Sequence, residues 1–424
     1  MKILILCDMF PPAFGPRMGY LCKYLARAGW EAVVLTEYIG DQTFAFLTGH
    51  VPVHYIRYYK AKGRVSRQAE WILLFLADFF FGYKDRKMVR LASRFLKAGG
   101  FGGILCSTYR TFPLPAARKL AKRFRLPLIA DMRDIIEQYP SHEYIARPPH
   151  LFPWLDKQII RVFRRKLLRG RNRALREAAC ITTVSPWHVE QMKAYNPRVE
   201  LIYNGYDPEL FYPVRIPAPQ FRLTYTGRLV SLDVRDPEWL FQAIRSLSET
   251  GVIHPEEFRV CWYTDEASAQ SIRLLAGRYA VAAYMDYFGY VPADRIPAIL
   301  NESSALLQLA NKADEKGPKG IMSTKLFEAF AVEKPLLLVR SDESYLEETI
   351  HRAQAGIAAR QAEDVCRFIR HHFAVWKEKG YTTIEPRREI TASFSREQQA
   401  RQFMHIFTEK SNKDGTYEPA YHRP

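Results

Sequence analysis

Cysteine is scarce in this sequence and nowhere clustered. The six, at positions 7, 22, 106, 180, 261 and 366, make no C-x-x-C pair and no Cys/His group. That spacing speaks against structural zinc and a disulfide framework, and fits a reducing compartment. No stretch approaches the roughly 20 apolar residues that a membrane-spanning helix needs. The start, Met1-Lys2-Ile3-Leu4-Ile5-Leu6-Cys7-Asp8, is too short an apolar run for a signal peptide and reads as a buried first strand. A cytoplasmic location is expected, free or peripheral at the inner face of a membrane. Neither G-x-G-x-x-G nor G-x-x-x-x-G-K-[ST] follows that strand, which disfavours a dinucleotide dehydrogenase and a P-loop enzyme. Negative charge is also in short supply: 45 acidic against 62 basic residues leave a formal charge of +17. Nucleic acid, anionic lipid and phosphorylated substrates are all candidate partners on that ground.

What is present is a globular composition, with 48% hydrophobic and 25% charged residues over 424 positions, enough for two ordinary domains. Apolar runs at Ile3–Leu6, Ala32–Thr36, Gly103–Cys106, Pro127–Ala130, Ala179–Val184 and Val199–Tyr203 alternate with helical patterns. Such alternation predicts an α/β fold with a parallel, doubly wound sheet. Pro208, Pro213, Pro217 and Pro219 mark a linker. Strands then resume at Phe221–Thr226, Phe258–Tyr263, Tyr284–Phe288, Ala305–Leu309 and Pro335–Val339, predicting a second sheet of the same kind. The predicted boundaries are 1–213 and 220–388 for the two domains, 389–408 for a terminal helix and 409–424 for a loose polar tail.

Two stretches of the first half stand out. Trp71 to Tyr83 is strongly apolar and flanked by Arg64, Arg67, Lys84, Arg86, Lys87 and Arg90. It reads as a buried core helix or as a surface for an apolar acceptor or the lipid interface. Lys157 to Arg176 holds nine basic residues and no carboxylate. A solvated helix face explains most charge runs; this one suits anionic lipid headgroups.

The residues with most to say about chemistry lie between Gly317 and Pro335. A loop containing Gly317, Pro318 and Gly320 turns into a short helix with Ser323 or Thr324 as N-cap. Leu326, Phe327, Phe330 and Ala331 face the core, and Glu328 leans back toward the helix mouth. Such a mouth suits a phosphate. Elsewhere, Asp131-Met132-Arg133-Asp134 and Tyr203-Asn204-Gly205 follow strand ends, where ligands gather in open α/β sheets. Buried ion pairs and a tight turn explain the same residues without a ligand.

Lys325-Leu326-Phe327-Glu328-Ala329-Phe330-Ala331 followed by Lys334-Pro335 resembles the donor-site helix of GT-B glycosyltransferases, in particular the retaining enzymes of family 4. The resemblance implies two Rossmann-like domains facing across a cleft. It implies a glycosyltransferase that moves a sugar from a nucleotide-sugar donor to a glycan acceptor, lipid-linked in the polysaccharide-biosynthesis members. It assigns Glu328 to the donor's ribose, and Ser323, Thr324, Lys325 and Leu326 to its diphosphate. Gly227-Arg228 matches the family's arginine on the diphosphate, with Arg235 in place of its usual lysine. Phe10-Pro11-Pro12 with Gly15 and Gly19 resembles the front loop that approaches the donor. Asp131, Arg133, Asp134 and Asn204 then become acceptor or cleft residues. Gly320 stands where many members carry a second acidic residue, and no histidine follows the strand at Cys106. His142, beside Glu143, is a candidate catalytic base, and an unremarkable surface histidine is the simpler account of it. Arg228 and Lys325 would stabilise the leaving diphosphate. No Asp-x-Asp triad stands out, so neither a metal nor another cofactor is expected. Two other readings stay open: a non-catalytic sugar-nucleotide binder, and a basic nucleic-acid-binding protein lacking any recognisable motif for it.

Overall fold

The computed structural model describes residues 1–138, 153–229, 232, 235–310, 321–340 and 345–413. His142, the loop at Gly317–Gly320 and the end of the chain from 414 lie outside the described residues. The chain divides into two compact units, Met1–Tyr203 with Gln399–Pro424, and Asn204–Gln398.

The first unit is built on a parallel sheet of seven strands: β1 (Lys2–Cys7), β2 (Glu31–Glu37), β3 (Val53–Ile56), β4 (Phe101–Thr108), β5 (Leu128–Met132), β6 (Cys180–Thr183) and β7 (Val199–Leu201). Their order is β3-β2-β1-β4-β5-β6-β7. Side chains alternate across a strand, and β1 shows the consequence. Leu4 and Leu6 join a core with Met88, Leu114, Leu120 and Leu175 on one face. Ile3, Ile5 and Cys7 join another with Leu21, Phe403 and Phe407. β3 was not legible in the sequence because it is a half-exposed edge strand with only Ile56 fully buried.

The second unit repeats the plan with six strands: β8 (Phe221–Thr226), β9 (Phe258–Tyr263), β10 (Met285–Tyr287), β11 (Ala305–Leu309), β12 (Leu336–Val339) and β13 (Gly356–Ala359). The order is β10-β9-β8-β11-β12-β13, and every pairing is parallel. Strand order reverses direction between β1 and β4 in one sheet and between β8 and β11 in the other. At such switch points the loops part, and a ligand-sized crevice opens beyond the strands' carboxyl ends.

Near the C-terminus two helices form instead of one, Arg388–Ala392 and Arg396–Lys413. Phe394 packs at 4.7 Å on Phe327 in the second unit, whereas Phe403 and Phe407 fill the core of the first. Phe407 lies so close on β4 that a Cβ at Gly103 would sit 2.6 Å from its ring. All six cysteines are free and buried, as packing residues. The apolar stretch 71–83 is not a core helix: the helix Arg64–Phe81 has no buried residue. Among the described residues no helix is long and apolar enough to cross a membrane.

Candidate functional site

Two groups of polar side chains collect at the two switch points, one in each unit. In the second unit β8 ends at Thr226, and Gly227 turns the chain with φ +106, a left-handed conformation that side chains rarely adopt. The glycine also makes room. A Cβ there would lie 2.1 Å from Lys325 Nζ, so the ammonium is lodged directly against the glycine backbone. The same ammonium lies 5.2 Å above the Tyr225 ring. Tyr225 Oη donates to the Arg228 carbonyl at 2.8 Å, and Arg235 Nη1 donates to the same oxygen at 2.7 Å. The structure therefore brings Gly227, Arg235 and Lys325 together. Burial, and after it the nearby Arg235, pushes Lys325 down to about 8 although Glu328 works against the shift. Packing so much positive charge in one half-buried corner is unfavourable without an anion.

Lys325 belongs to the helix Thr324–Ala331, which rises between β11 and β12. Leu326, Phe327, Ala329 and Phe330 bury its core face, leaving Lys325 and Glu328 on the other side. Ser323 occupies the N-cap position, yet its side chain caps no amide; its Oγ accepts from Gln308 Nε2 at 3.5 Å. The positive end of the helix is thus not neutralised by its own cap. Glu328 sits one turn in, half-buried, and burial pushes its carboxyl up to about 7 against the pull of Arg396 and Lys325. Arg396, 68 residues further along, was not anticipated, since no local pattern points to it. Lys334 of the Lys-Pro pair is buried and reaches the Thr382 carbonyl at 3.5 Å, a packing role. The Arg228 side chain takes another course. It is 71% exposed, with Nε 3.7 Å from Asp265 and its guanidinium 5.9 Å from the Tyr290 ring.

In the first unit the strand ends carry two ion pairs. Asp131 is fully buried and accepts from Arg17 Nε at 3.1 Å and Nη2 at 3.0 Å, from Ser107 Oγ at 2.8 Å and from Thr182 Oγ1 at 2.8 Å. Arg17 also donates to the carbonyls of Ile202 and Tyr203. The network holds Asp131 below the usual carboxylate range despite burial, and it ties β5, β4 and β6 to the helix Pro16–Arg27. Arg133 pairs instead with Asp8, at the end of β1. Asp8 also accepts from Thr108 Oγ1 and from the amides of Tyr109 and Met9. Asp134 accepts from Gln138 Nε2, and Gln138 Oε1 meets His188 Nε2 at 2.9 Å. Burial raises Asp8 and Asp134 and pushes the fully buried His188 down to about 4, so its ring is neutral. Asp8 and Tyr109 were missed in the sequence, although each directly follows or ends a strand at the switch point. Gly15 and Gly19 are packed by the loop itself. A Cβ at Gly15 would be 2.8 Å from the Phe10 backbone, and one at Gly19 2.7 Å from Pro11. Asn204 opens the second unit and is half-buried.

Residues 14–205 match the family described as Glycosyl transferase 4-like domain. No curated protein matches the chain in sequence. Among solved structures, sucrose-phosphate synthase from Thermosynechococcus elongatus is 15% identical, with a TM-score of 0.59 over 97% of this chain and 100% of that one. HepE from Anabaena, solved in complex with UDP-glucose, is 15% identical, with a TM-score of 0.61 over 96% and 100%. The lipopolysaccharide outer core galactosyltransferase WaaB, in its apo form, is 13% identical, with a TM-score of 0.56 over 97% and 100%. The chain thus resembles the glycosyl transferase 4-like family over residues 14–205 and carries the GT-B fold with its two Rossmann-like domains.

Proposed function

We propose that this chain is a glycosyltransferase that takes its sugar from a nucleotide donor held by the second unit. The observation that carries the proposal is the corner at the end of β8, where Lys325 lies against Gly227 beside Arg235 and an uncapped helix start. Two cations and open amides suit a diphosphate, which needs paired donors and positive charge at fixed positions. The complex of HepE with UDP-glucose supports a nucleotide-sugar donor.

When the bond from the anomeric carbon to the donor's phosphate oxygen breaks, the electron pair leaves with that oxygen. Lys325, Arg235 and the helix amides supply fixed positive charge for that oxygen, and preorganised charge of this kind lowers the barrier. Arg228 joins them by leaving Asp265, since a loose exposed pair of this kind is worth at most about 1 kcal/mol. Glu328, with its raised carboxyl, holds a hydroxyl of the donor's ribose. Transfer with retention, no metal and no resident cofactor complete the reading. The acceptor is a lipid-linked glycan presented at a membrane face. In support of that, the helix Arg64–Phe81 exposes Leu73 (67%), Phe80 (65%) and Phe81 (64%). Phe75 and Phe79 stack on Phe163 of the basic helix Pro153–Glu177 at 5.7 and 6.0 Å.

Calorimetric titration with UDP-, GDP-, ADP- and CMP-sugars tests the donor site. One of them should bind the native chain and lose at least about tenfold in affinity to Lys325→Ala, the loss of one charge-assisted contact. Equal affinity in the variant contradicts the assignment.

A further inference from the structure

A second positively charged feature belongs to the first unit, on its helix layer, whereas the donor corner belongs to the second. The helix Tyr83–Lys97 carries Arg86, Arg90 and Arg94 four residues apart, with Lys97 completing the row. The helix Leu114–Phe124 adds Lys119 and Arg123. All six are exposed and line one groove of about 450 Å³. Among the described residues none of them stands in an ion pair, whereas Arg118 on the same helix is paired with Glu177 at 2.7 Å. Asp85, the only acid on either helix, is turned inward, where it accepts from the Ala116 amide at 3.2 Å. Like charges four apart on a helix repel by a few tenths of a kcal/mol per pair. The row therefore costs stability that an anion would restore.

The floor of the groove supplies a second, independent sign. Ser93 is only 6% exposed, lines the groove, and its Oγ has no hydrogen-bond partner. A buried hydroxyl without a partner is unfavourable, and a ligand oxygen above it would relieve that. Length sets the size of the ligand. At 1.5 Å per residue, Arg86 to Arg94 spans about 12 Å, too far for one phosphate. The groove offers no aromatic ring on which a base could stack.

We propose that this groove binds an oligophosphate, two or more neighbouring phosphates held by the arginine row with Ser93 donating from the floor. Guanidinium groups suit it because each presents two parallel donors to a phosphate. The site is built from the first unit alone and does not depend on the function proposed for the second. The same chemistry occurs in a soluble polyphosphate and in a polyphosphorylated lipid headgroup.

Calorimetry of the full chain with tripolyphosphate, and flotation with phosphatidylcholine vesicles containing phosphatidylinositol bisphosphate, test the site and separate the two sources. Arg90→Glu with Arg94→Glu should weaken binding at least about tenfold. Ser93→Ala, which leaves the charge unchanged, should weaken it about threefold. Arg278→Glu with Lys379→Glu, a matched charge change at exposed positions of the second unit, should have little effect. Tripolyphosphate binding alone identifies a soluble ligand, and vesicle binding alone a headgroup; either supports the site. Equal losses in the two double variants, no effect of Ser93→Ala, no binding of either probe, or tighter binding of oligouridylate than of tripolyphosphate overturns it.

Discussion

Lys325 and Glu328 are the residues to which the proposed function assigns the donor, and both have shifted ionisation. Lys325 stays charged only below its lowered value of about 8. Diphosphate binding measured by calorimetry should therefore weaken as pH rises through that value, and Lys325→Met should abolish the dependence. Glu328 has the opposite linkage. Its carboxyl is raised from 4.5 to about 7, so the folded chain binds the proton more tightly than the unfolded chain does. Stability from this group is full below 4.5 and is lost as pH rises toward 7. Glu328→Gln should accordingly gain thermal stability over the native chain across that window, and the gain should level off above it. Scanning calorimetry at several pH values checks this; a gap independent of pH contradicts it. Gly227→Ala asks whether the lodging of the ammonium matters. The new Cβ must displace Lys325 Nζ and sit at φ +106, so donor affinity should fall together with about 1 kcal/mol or more of stability.

Elements explain why these residues meet at all. The helix Thr324–Ala331 is only eight residues long and has no cap of its own, so its position comes from Leu326, Phe327 and Phe330 in the core. A helix that short would not persist in isolation. The helix Arg396–Lys413 plays a comparable part for the first unit. Phe407 is 1% exposed and rests on Gly103. Phe407→Ala should destabilise the first unit by about 3–5 kcal/mol, the usual range for deleting a buried aromatic ring. Thermal or denaturant unfolding checks it. The helix Arg64–Phe81 is the contrary case: none of its residues is buried, and Leu73, Phe80 and Phe81 are exposed. Leu73→Ser with Phe80→Ser should leave unfolding within about 0.5 kcal/mol of the native chain, while flotation on anionic vesicles falls. Unchanged flotation removes the membrane-face part of the proposed function.

For the whole molecule, the formal charge of +17 is distributed unevenly in its consequences. The helix Pro153–Glu177 holds Arg165, Arg169 and Arg173 along a single groove, and replacing Arg165 and Arg169 with glutamate should weaken vesicle binding further and make it less sensitive to salt. Much of the architecture was legible from local pattern. Apolar runs such as Ile3–Leu6 and Leu336–Val339, short and rich in Leu, Ile and Val, read as buried strands, and their alternation with helical periods points to a parallel, doubly wound arrangement. The edge strands β3 and β13 were not legible, because short half-exposed strands lack that pattern. Around the site, Gly227, Lys325 and Glu328 were visible as residue types at telling places in the chain. Their juxtaposition was not visible, because nearly a hundred residues separate Gly227 from Lys325. The apolar segment 71–83 left two readings open for a related reason: periodicity shows that a helix has an oily side but not what covers it. The sequence by itself thus determined the two sheets, their helices and the presence of a phosphate-suited helix start, all of which follow from short-range pattern and burial. Tertiary structure alone decided that Arg396 acts on Glu328, that Asp131 is consumed by Arg17, and that the aromatic helix faces outward, because each depends on which distant segments pack together.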